Sequence, residues 1–153
     1  MSFIAIKNLT TRYNTSKGLV HALEDVTFSI DKGESIGIAG ESACGKSTLG
    51  LSIIQMISNG KIYSGKIEFD GKSLLDVPSD EFDKTIRWKE ISMIFQGAMN
   101  SLDPVFSIQQ QFEEILKQHN FEGDSKQSKI QSLNSVNLTE SVLKKFPHEL
   151  SGG

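Results

Sequence analysis

The sequence predicts an α/β fold, on three observations. Segments that alternate apolar and polar residues fill much of the first half, which is typical of half-buried strands. A glycine-rich stretch, residues 40–48, separates one apolar segment from the first amphipathic helix. Helical periodicity then runs through residues 107–143. The length of 153 residues suits a single domain.

Strands are expected at five places, with a loop tip at residues 14–18. The five segments are residues 4–9, 26–30, 35–39, 66–69 and 91–95. The first two alternate apolar and polar side chains, and the fourth leads into the Asp70-Gly71 turn. Residues 35–39 and 91–95 are predicted to be buried strands, because the first segment is rich in small residues and the second is mostly apolar.

The first helix is predicted to begin near Lys46 and to end at Gly60, since apolar residues recur at helical spacing between them. A second begins at Ser79, with acidic residues in its first turn. The change from strands to helices near Leu102 predicts two subdomains, residues 1–101 and 102–153.

Composition excludes several classes of protein. Sixteen Lys and Arg against nineteen Asp and Glu give a net charge of −3, so no basic excess is available for nucleic acid. No apolar run approaches the roughly 20 residues of a membrane-spanning helix, and the N-terminus lacks the pattern of a secretory signal. The single cysteine, Cys44, excludes an internal disulfide and fits a reducing compartment. We therefore expect a soluble, cytosolic domain.

The glycine-rich stretch matches G-x-x-x-x-G-K-[ST], between a predicted strand and a helix. Small residues let such a loop aim backbone N–H groups at phosphates, and the positive end of the helix adds attraction. The nucleotide-binding residues predicted here are Gly40, Glu41, Ser42, Ala43, Cys44, Gly45, Lys46, Ser47 and Thr48. The alternative is a glycine-rich turn that binds nothing.

Individual roles follow from the chemistry of the side chains. Lys46 can reach the β- and γ-phosphates, the Ser47 hydroxyl can ligate Mg²⁺, and Thr48 is placed at the α-phosphate side. Cys44 has two interpretations, a small side chain tolerated in the loop or a thiol whose pKa is lowered by the helix N-terminus and Lys46.

Three further segments carry a resemblance to a known family. They are Tyr13 with residues 20–28, residues 93–106 (MIFQGAMNSLDPVF) and residues 146–153 (FPHELSGG). Together with the glycine-rich loop they closely resemble the ATP-binding subunits of ABC transporters, in the dipeptide/oligopeptide/nickel importer subfamily. The resemblance covers essentially the whole chain. It implies a P-loop NTPase core with an N-terminal antiparallel β subdomain and part of a helical subdomain.

The resemblance also assigns residues outside the loop. Gln96 matches the Q-loop glutamine, which in the family contacts Mg²⁺ and the attacking water, so Lys46 and Gln96 are the candidate catalytic residues. The signature loop, which serves ATP bound to the other subunit, is matched by Ser151, Gly152 and Gly153. Tyr13 resembles the aromatic residue that stacks on adenine. For Gln96 the alternative is a polar residue that follows a strand, and for residues 151–153 it is a flexible tail. For Tyr13 the alternative is an ordinary tyrosine at the end of a strand.

The cofactors implied are ATP and Mg²⁺. The implied partners are a second nucleotide-binding subunit in a head-to-tail dimer, transmembrane permease subunits and, indirectly, a solute-binding protein, but no nucleic acid. Such a subunit lies at the cytoplasmic face of the cell membrane and couples ATP hydrolysis to import of peptides or nickel.

Departures from the family pattern are few within the loop, and the main one is at the end of the chain. The Walker B strand, the catalytic glutamate and the switch histidine are expected beyond Gly153, so the sequence represents a cassette truncated before the Walker B strand. We expect weak nucleotide binding and poor hydrolysis, together with self-association, partial disorder in residues 111–153 or a missing companion fragment. The alternative function is a non-catalytic nucleotide-binding or interaction fragment of a truncated gene.

Overall fold

The fold was analysed in a computed structural model that describes residues 2–150. The chain divides into two compact units, with the boundary between Met93 and Ile94. The predicted subdomain boundary at Leu102 remains a prediction.

The first unit is built on an antiparallel sheet. Its strands are β1 (Ile4–Thr15), β2 (Gly18–Ile30), β3 (Gly60–Phe69) and β4 (Lys72–Ser73). Their order is β2-β1-β3-β4, so β1 lies in the middle and pairs with both long strands. Residues 4–9, 26–30 and 66–69 are strands as predicted, and the tip between β1 and β2 falls at Ser16 and Lys17.

Two helices accompany the sheet, α1 (Lys46–Ile53) and α2 (Ser79–Thr85). Apolar side chains from one face of the sheet and from both helices form the core of this unit. Its members are Ile6, Leu9, Leu23, Leu49, Ile67, Leu74 and Phe82. Because Leu49 belongs to this core, packing against the sheet fixes the start of α1 and the loop before it.

Two predicted buried strands are absent among residues 2–150. Residues 35–39 form no strand and pair with none, and Ile36 is 40% and Ile38 50% exposed. Residues 91–95 form only an isolated bridge from Ile91 to Arg87, and Ile94 is 90% exposed. Both predictions were wrong for the same reason. An apolar segment becomes a strand only beside a partner strand, and the described sheet supplies none there.

The predicted end of the first helix was also wrong. Helix α1 ends at Ile53, and Gly60 is the first residue of β3 rather than a helix cap. Gln55 and Asn59 adopt positive φ values of 54° and 58°, which a helix cannot continue through. The side chain of Gln55 donates a hydrogen bond to the Leu74 carbonyl at 2.6 Å and so holds the turn.

The second unit contains two α-helices, α3 (Ile108–Gln118) and α4 (Ser125–Ser135), and 3₁₀ turns at Ala98–Ser101, Glu140–Lys144 and Pro147–Glu149. Ser107 and Gln110 form a capping box before α3, and Asp124 caps α4. Ile108, Leu133, Val142 and Leu143 form the core of this unit. Within residues 2–150, no helix is both long enough and apolar enough to cross a bilayer.

Candidate nucleotide-binding site

The glycine-rich loop turns sharply into α1 at Gly45. This residue is the N-cap of the helix and has a φ of 96°, in the left-handed region that favours glycine. A Cβ at this position would collide with the Ala22 carbonyl and would lie 2.9 Å from Leu23 Cδ2. Position 45 therefore needs glycine both for its dihedral angle and for the close approach to β2.

The ammonium group of Lys46 lies across the loop that precedes it. Its nitrogen donates hydrogen bonds to the carbonyl oxygens of Gly40 at 2.7 Å and Glu41 at 2.5 Å. A Cβ on Gly40 would lie 2.6 Å from the Cys44 sulfur, so a larger residue would displace the Cys44 side chain, which contacts the ammonium. The loop thus holds one positive charge against its own backbone.

The first turn of α1 has the features of an anion site. It contains no acidic residue, and no side chain caps its amides. Orphan N–H groups and the helix dipole make such a terminus attractive to phosphate. The Ser47 side chain is exposed, whereas Thr48 is buried and faces the sheet.

Cys44 belongs to this electropositive environment. Its sulfur lies 3.2 Å from Lys46 Nζ, and this hydrogen bond is the main cause that lowers the pKa of the thiol below its usual range. The side chain is exposed. Of the two interpretations of Cys44, the geometry therefore favours the thiol with a lowered pKa.

Tyr13 lies next to α1, although 35 residues separate it from Thr48 in sequence. It is near the end of β1 and half-buried, and its hydroxyl lies 3.4 Å from Thr48 Oγ1. The predicted aromatic residue and the loop are thus brought together. Adenine stacking by Tyr13 remains a prediction.

Gln96 belongs to the second unit. It is exposed and precedes Gly97, whose φ of 73° turns the chain into the short Ala98–Ser101 helix. Its proposed contact with Mg²⁺ remains a prediction.

The segment that follows is tied to α3 by Gln111, a residue that sequence reasoning did not single out. Gln111 accepts a hydrogen bond from the Asp103 amide at 3.0 Å and donates to the carbonyls of Asp103 and Phe106 at 3.0 and 2.9 Å. Residues 103–106 are therefore held by one side chain, which no local pattern would indicate.

The predicted signature residues Ser151, Gly152 and Gly153 lie outside the described residues. The segment before them is ordered by the Phe146 amide, which donates to the Glu149 carboxylate at 2.8 Å. The His148 ring stacks on Phe146 with 5.8 Å between centroids. Among residues 2–150, no group of three His, Cys, Asp or Glu side chains is placed to hold a metal ion.

The sequence matches the ABC transporter family model over residues 23–153, which is most of the chain. The chain belongs to the ABC transporter family.

Several relatives in this family are peptide-transport proteins. The chain is 37% identical to the oligopeptide transport ATP-binding protein AppD of Bacillus subtilis, covering 99% of this chain and 48% of the relative. It is 37% identical to OppD of Haemophilus influenzae and 35% identical to the dipeptide transport ATP-binding protein DppD of Lactococcus lactis. Those two matches cover 97% and 98% of this chain and 47% and 44% of the relatives. The chain therefore spans about half the length of these relatives.

Solved ABC cassettes have the same fold. The dimeric structure of MJ0796, described as a bacterial ABC transporter cassette, is 26% identical with a TM-score of 0.79, covering 97% of this chain and 63% of that one. A post-hydrolysis dimer of MJ0796 bound to ADP and phosphate is 25% identical with a TM-score of 0.80 and the same coverage. The predicted fold class is confirmed by these similarities.

Proposed function

We propose that this ABC transporter chain is the ATP-binding, energy-coupling component of an importer for peptides. The named relatives transport oligopeptides or dipeptides, and this supports peptides as the solute over nickel. The observation that carries the proposal is the Lys46 ammonium held across a loop that ends in a left-handed Gly45 at the start of α1.

ATP would bind with its phosphates against this loop. The structure gives Lys46 no carboxylate partner within residues 2–150, so its charge can be shared with the β- and γ-phosphates. Exchange of its two carbonyl contacts for phosphate oxygens is favourable, because the acceptors then carry a negative charge opposite the charge of the ammonium. The ring of Tyr13 would stack on the adenine.

The side chains present fit Mg²⁺. Hard oxygen donors suit this ion, which takes few protein ligands and keeps several waters. The exposed hydroxyl of Ser47 would hold it, and Gln96 is proposed as a second ligand because it matches the Q-loop glutamine of the family. When bound, Mg²⁺ would neutralise charge on the phosphates.

Coupling of ATP hydrolysis to transport would require partner subunits. A head-to-tail dimer would bring Ser151, Gly152 and Gly153 of one subunit to ATP on the other, and the dimeric state of the MJ0796 cassettes supports the formation of a dimer. We propose that the Gln96 region communicates with transmembrane permease subunits at the cytoplasmic face of the membrane, with a solute-binding protein delivering the peptide.

Turnover by residues 1–153 alone is proposed to be slow. They contain Lys46, Ser47 and Gln96, but no carboxylate or histidine among them matches those that position the attacking water in this family. Phosphoryl transfer needs that water positioned and the charge stabilised. Robust MgATP hydrolysis by the pure chain would overturn this part of the proposal and leave the binding part intact.

Calorimetric titration with MgATP tests nucleotide binding. Lys46→Ala should weaken the affinity roughly tenfold or more, because it removes charged hydrogen bonds to the phosphates. Lys66→Ala is the matched control, since Lys66 is an exposed lysine of β3 and its loss should leave affinity unchanged. Equal affinities of the wild type and Lys46→Ala would contradict the assignment of the loop.

A further inference from the structure

A chain of hydroxyl groups links the middle strand of the sheet to the start of α1. Ser52 Oγ donates to the Thr48 carbonyl at 2.7 Å, and Thr11 Oγ1 lies 3.1 Å from Ser52 Oγ. The Tyr13 hydroxyl contacts the side chain of the same residue, 3.4 Å from Thr48 Oγ1. Thr48 is thus contacted at its carbonyl through α1 and at its hydroxyl from β1.

These hydroxyl groups occupy positions where apolar side chains would be expected. Thr11 and Ser52 are fully buried, and Thr48 is 8% exposed. Burying a hydroxyl is unfavourable unless it is hydrogen-bonded, and Val or Ala would fill a similar volume without that cost. What the hydroxyl groups add is direction, because a hydrogen bond fixes both distance and angle.

We propose that Thr11, Ser52 and Tyr13 are positioning residues that hold the first turn of α1 in the orientation needed to bind phosphate. The inference rests on the proposed function of the loop and concerns residues outside its motif. The Thr11–Ser52 bond joins β1 to α1, and Ser52 passes this constraint to Thr48, which directly follows Lys46 and Ser47.

The inference gives Tyr13 a second role, separate from stacking on a base. Its ring would contact adenine, whereas its hydroxyl acts on the phosphate end of the nucleotide through Thr48. A ligand with phosphates but no base distinguishes the two roles. The short bonds of Ser52 should matter more than the 3.4 Å contact of Tyr13.

Calorimetric titration with magnesium tripolyphosphate and with MgATP tests the inference. Ser52→Ala and Thr11→Val should each weaken binding of both ligands by about two- to tenfold, the range expected for a lost hydrogen bond. Their effects should not add in the double variant, because both break the same link. Tyr13→Phe should weaken both ligands by the same, smaller factor, since the aromatic ring remains.

Matched controls are available on β3. Ser64→Ala and Tyr63→Phe change exposed residues of the same types and should leave both affinities unchanged. Wild-type affinity for tripolyphosphate in Ser52→Ala and Thr11→Val would overturn the inference. A Tyr13→Phe effect on ATP without one on tripolyphosphate would overturn the part concerning its hydroxyl.

A ligand-free readout separates this inference from the proposed function. Hydrogen–deuterium exchange of the amides at positions 49–52 should be faster in Ser52→Ala and Thr11→Val than in the wild type, and exchange in α2 should not change. Unchanged exchange in α1 would overturn the inference, whatever the chain binds. Failure of the wild type to bind either ligand would instead contradict the proposed function.

Discussion

The ammonium nitrogen of Lys46 lies 3.2 Å from the sulfur of Cys44, inside the loop proposed to bind the phosphates of ATP. This hydrogen bond lowers the pKa of the thiol, and the effect outweighs the opposing contribution of desolvation. The same ammonium contacts the carbonyls of Gly40 and Glu41. The reactivity of Cys44 therefore reports on the position of Lys46.

We expect Lys46→Ala to slow alkylation of Cys44 near neutral pH. Only the thiolate reacts, and loss of the ammonium raises the thiol pKa toward its ordinary value of about 8.5. The measurement is the alkylation rate as a function of pH. The difference from the wild type should be largest below that value and vanish well above it. Lys66→Ala should have a wild-type profile, and identical profiles for all three proteins would contradict a Lys46–Cys44 contact.

Gly45→Ala should destabilise the protein by about 1–3 kcal/mol, the usual cost of holding a non-glycine residue in an unfavourable backbone region. The φ of 96° disfavours the substitution, and the new Cβ would meet Leu23 Cδ2 at 2.9 Å. Urea denaturation measures the loss. Gly37→Ala is the matched control, because its Cβ would have no neighbour within 4 Å and its φ lies outside the left-handed region. Similar losses of unfolding free energy in both variants would show that the close approach of position 45 to β2 does not cause the destabilisation.

Local signals were enough to predict three of the five expected strands and the loop, and the motifs were enough to indicate the family. The motif of residues 40–48 is contiguous, so its spacing alone specifies a turn between extended chain and helix. The alternation of apolar and polar side chains in residues 4–9 and 26–30 likewise depends only on which face of each strand is buried. Both features are determined by residues that are neighbours in sequence, and both are present in the structure.

The features that were missed depend on partners distant in sequence. Residues 35–39 have the composition of a buried strand, but pairing needs a second segment, and the described sheet provides none. The contact between Thr11 and Ser52 spans 41 residues and is decided by how α1 packs on β1. The ion pair of Glu113 likewise depends on the buried Lys129, which belongs to another helix.

That ion pair should make the stability of the second unit depend on pH. Lys129 Nζ lies 2.8 Å from Glu113 Oε1, and this bond is the main cause that lowers the pKa of the Glu113 carboxyl in the folded protein. A lowered folded pKa stabilises the protein above the unfolded value of about 4.3, and the contribution is lost as pH falls through the folded pKa.

We expect Glu113→Gln to be less stable than the wild type at pH 6 and equally stable once the pH lies below the folded pKa. Urea denaturation over this pH range, followed by exchange of amides in α3 and α4, gives the comparison. Glu114→Gln, at the exposed neighbouring position, should follow the wild-type curve. A constant difference between Glu113→Gln and the wild type at every pH would exclude titration of this carboxyl as its cause.

The unpaired residues 35–39 should promote self-association. Ile36 and Ile38 are 40% and 50% exposed on a segment that no strand in residues 2–150 pairs with, and unpaired backbone beside exposed apolar side chains recruits other chains. Ile38→Lys should reduce concentration-dependent association in sedimentation velocity, while the melting temperature stays unchanged because little packing is lost. Ile115→Lys is the matched control, since Ile115 is 55% exposed but lies in α3, whose backbone is hydrogen-bonded within the helix. Equal association of Ile38→Lys and the wild type at all concentrations would place the association surface elsewhere.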